Sequence, residues 1–219
     1  MPLWWYAIAL SWLGVCFGCA AYLWRDVATG DHQIMPVMRW VWPVNALYMG
    51  PLAVWAYRTM DRDKPKDEKK QDPFWKIVFK AVTHCGTGCT LGDIIGEWIV
   101  FGAALAIAGE ALWPEYLLDF ALAYILGIVF QYFSIAPMRG ISGWQGVKAA
   151  LKADTLSLAA FEMGLFGWMA LARSVFYPHK LHPDAWVYWF MMAVGMMAGF
   201  LTAYPVNWWL VKVGLKEKM

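Results

Sequence analysis

Apolar positions fall along this chain in long blocks rather than in the short periods of a soluble domain. Six blocks approach the ~20 residues needed to cross a bilayer. They cover about Trp4–Trp24, Val37–Tyr57, a stretch opening at Asp72-Pro73 and ending near Ile107, Pro114–Ala136, Asp154–Phe176 and Ala185–Val211. Asp72 followed by Pro73 reads as a helix start. Pro43 and Pro51 predict kinks in the second block, which a membrane helix tolerates because neighbours satisfy the freed carbonyls.

The polar interruptions predict the connections. Arg58–Lys76 carries seven Lys/Arg and five Asp/Glu, the mixture of a solvated loop. Met138–Lys152 predicts a short amphipathic helix on the membrane surface, with Ser142 as its N-cap, turning at Asp154 into the fifth span. The expected fold is all-α: a polytopic transmembrane bundle of six spans with an interfacial helix between spans 4 and 5. Residues 1–60 would form two N-terminal spans, 61–72 a charged loop, and 73–219 a four-helix core.

Composition sharpens this. Apolar residues make up 61% of the 219 and charged residues 16%, against ~45–50% and ~25% in soluble proteins. A disordered chain is excluded. The net charge of +2 is spread without a basic block interleaved with aromatics, so nucleic acid is not an expected partner. Sixteen tryptophans suit interfacial belts. The first block lacks a basic leader and is too long for a signal peptide, so it is expected to be a retained helix. Basic residues flanking the spans divide thirteen to four, which predicts a bacterial inner-membrane protein with both termini in the cytoplasm. Lys80 would snorkel to the inner surface.

The third block holds the chemistry. It reads Thr83-His84-Cys85-Gly86-Thr87-Gly88-Cys89-Thr90-Leu91-Gly92-Asp93-Ile94-Ile95-Gly96-Glu97. Residues four apart share a helix face, so Cys85, Cys89, Asp93 and Glu97 form one stripe, with His84 beside it. Each ionisable group at mid-membrane costs at least ~2.5–3.5 kcal/mol on insertion scales and marks a functional position. Thiol and imidazole donors suit Cu(I), with Zn(II) as the alternative. Met192 and Met196 in the sixth span sit at matching depth and complete a candidate metal set of His84, Cys85, Cys89, Met192 and Met196. Asp93, Glu97 and Glu162 are candidates for outer groups around the metal or for a proton path. Cys16 and Cys19 read first as small packing residues, and His179 and His182 as a possible capture point in a loop. The spaced pairs Gly14/Gly18, Gly92/Gly96 and Gly195/Gly199 permit close helix contact and read as ordinary packing.

The segment His84-Cys85-x-x-Gly88-Cys89-x-x-Gly92-Asp93 and the ending Tyr204-Pro205-Val206-Asn207-Trp208-Trp209-Leu210-Val211-Lys212 resemble a bacterial integral-membrane family known as domain of unknown function 4396. The likeness covers Phe74 to Met219. It implies a membrane protein and brings no activity. The expected function is binding or transport of a soft metal ion, Cu(I) first, with the bilayer and the ion as partners. One alternative is an accessory or assembly subunit bound to other membrane subunits. Another is a quinone-linked thiol–disulfide oxidoreductase using the two cysteine pairs. No catalytic residue is singled out, and the pattern favours a non-enzymatic role.

Overall fold

The computed structural model describes residues 3–30, 35–62, 72–107, 112–176 and 182–217. Among them the chain forms seven α-helices: α1 Leu3–Thr29, α2 Met38–Met49, α3 Pro51–Tyr57, α4 Phe74–Gly102, α5 Leu112–Arg139, α6 Gly143–Leu171 and α7 Trp186–Lys212. Single π-helical turns extend α3 through Arg58–Arg62 and α6 through Ala172–Phe176. Most of the charged loop and His179 lie outside the described residues.

Four helices are long and apolar enough to cross a membrane: α1, α5, α6 with its π turn, and α7. The expected second span is divided. Its break falls at Gly50 (φ 54°), a conformation that suits a residue without Cβ. Pro51 then opens α3, where a missing N–H costs nothing. Pro43 stays inside α2. The third block forms one helix, α4, of 29 residues, but its polar stripe keeps it out of that set.

One connection differs from expectation. No separate interfacial helix precedes the fifth span: α6 runs unbroken from Gly143 through Asp154 to Leu171. Ser142 does occupy the N-cap position, with extended backbone and no capping bond from its side chain. Asp154 does not end a helix because its carboxylate finds an ammonium partner inside the bundle, 2.8 Å away.

Helix α4 is the axle of the bundle. It packs against α5, α7, α2 and α6, and every residue from Ile77 to Thr90 is buried. Glycines set how closely its neighbours approach. A Cβ on Gly88 would stand 2.5 Å from Gly127 Cα, one on Gly92 would strike the Ala123 backbone, and one on Gly96 would strike the Asp119 carboxylate. These three pairings share one antiparallel register between α4 and α5. A second seam joins α6 to α7, where a Cβ on Gly164 would stand 2.8 Å from Gly199 Cα and one on Gly199 would stand 2.6 Å from the Phe161 carbonyl. Two of the three glycine pairs are therefore seams of near backbone contact. Gly14 and Gly18 on α1 face open space.

Polarity is inverted relative to a soluble protein. Phe17, Leu117, Ile125, Phe133, Met163 and Leu201 are exposed, while Asn45, His84, Asp93, Glu97, Asp119, Gln131, Asp154 and Glu162 are buried. Lipid makes the first set inexpensive, and helix–helix hydrogen bonding accommodates the second.

Candidate functional site

The buried polar groups line α4 from one end to the other. At its N-terminal end Lys80 lies 3.2 Å from Asp72 and 3.5 Å from Asp61, an ion-pair cluster joining α4 to the turn after α3. Asp72 thus pairs with Lys80, and Pro73 takes the N-cap position. One turn further on, Asn45 of α2 donates to Thr83 O and Thr87 Oγ1, each at 2.9 Å, and to Val41 O at 2.8 Å. Tyr48 donates to Asn45 Oδ1 at 2.6 Å. This network is closed, and it fixes α2 against α4.

His84 begins the open part of the column. It is fully buried, its ring stands edge-on to Phe130 with centroids 6.3 Å apart, and neither ring nitrogen has a hydrogen-bond partner. Asp154 and Lys216 are its charged neighbours. The α4–α5 register sets Gln131 opposite His84, and both polar atoms of that buried amide also lack partners.

Cys85 and Cys89 follow, both free thiols and both fully buried. Cys89 faces Cys85, the Glu162 carboxyl of α6, and Asp93. The oxygens of Glu162 and Asp93 make no hydrogen bond. Toward the other end of α4 the carboxyls crowd. Asp93 has Glu162, Asp119 and Glu97 as its electrostatic neighbours, and Glu97 faces Asp119, Glu115 and the Tyr188 hydroxyl. Arg173, in the π turn after α6, reaches Glu115 Oε2 at 2.5 Å. Five carboxyls thus meet one basic side chain among the described residues. Such a group needs further positive charge, whether protons or a cation, to remain in low dielectric.

His84, Cys85, Cys89, Asp93, Glu97 and Glu162 line the column. Met192 and Met196 line a separate lateral cavity of about 320 Å³ with Thr90, Ile94 and Trp98. Tyr48 borders both, lining that cavity and facing the two thiols. Among the described residues no group of three His, Cys, Asp or Glu side chains stands ready to hold a metal ion. Cys16 packs against Gly50 at the α2–α3 break. Cys19 sits half-buried in a shallow pocket with Tyr22 and Arg58. His182 lies beside Phe101, ring centroids 6.0 Å apart.

Sequence reasoning missed Glu115, Asp119, Asp154, Arg173 and Lys216. Glu115 and Asp119 carried a signal, two carboxyls one turn apart inside an apolar block. Lys216 carried none, since a basic residue beyond a span reads as a surface charge, yet its side chain is fully buried.

Apolar helices outside and a lengthwise column of carboxyl, thiol and imidazole groups inside define a helical membrane protein with a polar core. The chain belongs to the family described as Domain of unknown function (DUF4396), which matches residues 74–216. That stretch takes in α4 to α7 and ends at Lys216, and it leaves α1 to α3 outside. No curated protein and no solved structure matches the chain.

Proposed function

We propose that this protein moves a soft metal ion, Cu(I) before Zn(II), through a bacterial inner membrane along the polar face of α4. One observation carries the reading: two buried thiols one helical turn apart, Cys85 and Cys89, open onto the hydrogen-bond-free carboxyls Glu162 and Asp93. Thiolates are the donors that select Cu(I). The carboxyl run through Asp119, Glu97 and Glu115 supplies acceptors for a cation, or for protons moving in its place, toward the far end of α4. His84 stands next to Cys85 as a third donor. Met192 and Met196 offer thioethers on the neighbouring face, where the lateral cavity would admit or release the ion. In this reading α4 and the divided α2–α3 unit complete six crossings, and both termini lie in the cytoplasm.

The test is elemental analysis of protein purified from copper-supplemented cells. Wild type retains copper, and Cys85→Ser/Cys89→Ser loses it while remaining folded. Equal copper in both would remove the thiols from the role.

The competing reading, an assembly subunit, draws support from the open Gly14/Gly18 face of α1, where a partner's helix would find close approach. Copurification of a stoichiometric membrane partner with metal-free protein would favour it.

A further inference from the structure

The chain turns back on itself after α7. Gly214 adopts φ 74°, and two bonds close the helix end: Leu215 N–H to Leu210 O at 2.9 Å and Gly214 N–H to Val211 O at 3.2 Å. This is the glycine-terminated helix end that reverses chain direction. It carries Lys216 into the bundle, where its ammonium lies 2.8 Å from Asp154 Oδ1 and 3.2 Å from Ser157 Oγ. Asn207 of α7 orients that hydroxyl, donating to Ser157 Oγ at 2.7 Å and to Ala203 O at 2.9 Å.

The two sides of this contact differ in construction. The acceptors, Asp154 and Ser157, stand on the core helix α6, and Asn207 of α7 holds Ser157. The ammonium comes from a turn outside every helix. Acceptor capacity also exceeds what Lys216 uses, because Asp154 Oδ2 makes no hydrogen bond. A side chain kept only to anchor the turn would not need a buried carboxylate with spare capacity, since lysine ordinarily reaches water.

We propose that Asp154 and Ser157, the latter held by Asn207, form a binding site for a primary ammonium cation, and that Lys216 is its tethered occupant. With Lys216 withdrawn, Asp154 is a buried charge without a counter-ion, and the site takes a free cation carrying the same head group. Methylammonium is the smallest such probe. Size and hydrogen-bond donors set the selectivity, so tetramethylammonium, which has no N–H, does not fit. The proposal is independent of metal transport.

The experiment is chemical rescue. Full-length Lys216→Ala in detergent is heated with methylammonium chloride or tetramethylammonium chloride at equal ionic strength. Lys216→Ala melts below wild type, methylammonium raises its melting temperature saturably, and tetramethylammonium does not. Wild type is moved by neither, and Lys216→Ala/Asp154→Asn is not rescued. A methylammonium shift equal in wild type and variant, equal in single and double variants, or absent from Lys216→Ala overturns the proposal. A second measurement stands if Lys216→Ala does not fold. Acetylation of native wild-type protein, read by mass spectrometry, modifies the exposed Lys212 and spares Lys216, and Asp154→Asn releases Lys216 to the reagent. Modification of Lys216 as fast as Lys212 in wild type overturns the proposal.

Discussion

Asp119 of α5 rests its carboxylate on Gly96 of α4, in the volume that a side chain at position 96 would fill. The absent side chain is what lets a carboxyl from one helix reach the acidic face of another. Close helix packing and the polar column are thus made by the same residue.

This pairing gives a graded prediction. Gly92→Ala drives a methyl into the Ala123 backbone, which cannot step aside, so overpacking costs about 1–3 kcal/mol. Gly96→Ala meets chiefly the movable Asp119 carboxylate, with the Asp119 backbone nitrogen no nearer than 3.2 Å, and the gain of ~1 kcal/mol from replacing a mid-helix glycine offsets part of the cost. Reversible unfolding in mixed micelles should rank Gly92→Ala well below Gly96→Ala. The opposite ranking would show that the α4–α5 seam gives way more easily than its acidic contact.

Asn45 fixes α2 to α4 by donating to Thr83 O and Thr87 Oγ1, and within α2 it bonds Val41 O and the Tyr48 hydroxyl. Asn45→Leu keeps the volume and strands the Tyr48 hydroxyl. A buried group left unsatisfied costs about 1–3 kcal/mol. The same unfolding assay should show that loss, and Tyr48→Phe added to it should restore part of the stability. Failure of the second change to restore anything would place the cost elsewhere.

Arg173 and Glu115 form a partly buried ion pair at the far end of the acidic run. Arg173→Gln leaves Glu115 facing Glu97 without its guanidinium. A cycle with Glu115→Gln should give a coupling of about 1–2 kcal/mol, below the ~3–5 kcal/mol of breaking a fully buried pair, because the arginine keeps some solvent access. Zero coupling would mean that water or another cation already screens the two.

Asp93 distinguishes ion coupling from packing. Cu(I) on two thiolates carries a net charge of −1, and an ionised Asp93 beside it would add a second negative charge. Under the proposed transport, a proton on Asp93 avoids that second charge while Cu(I) is bound and leaves as the metal moves. Asp93→Asn should therefore retain copper after purification while its flux in vesicles loses pH dependence. Unchanged flux with unchanged pH dependence makes Asp93 a packing residue.

Orientation is checked by reporter fusions after Lys66 and after the last residue. Both should report cytoplasm, because an even number of crossings puts them on one side and the thirteen-to-four basic bias makes that side the inner one. A periplasmic signal at either point would show one crossing too many or too few in the six-span reading.

The extent to which this was legible in the sequence follows from what each signal depends on. Blocks of apolar residues report the solvent, so the bounds of α1, α5 and α7 lay within a few residues of expectation. The cysteine and carboxyl stripe on α4 depends only on helical period and was visible for that reason. Of the two kinks read at Pro43 and Pro51, the break falls at Gly50-Pro51 while Pro43 stays helical, because which proline the neighbours can support is not encoded in spacing. Continuity of α6 through Asp154 was hidden because the aspartate's partner, Lys216, lies sixty-two residues away.

The two glycine seams divide the machine into leaves. Where backbones touch, one helix cannot slide past the next without lifting out of contact, so α4 with α5 moves as one piece and α6 with α7 as another. The joint between these pieces is where Cys89 meets Glu162 and His84 meets Asp154. Any breathing of the bundle thus opens at these buried polar groups rather than along its seams.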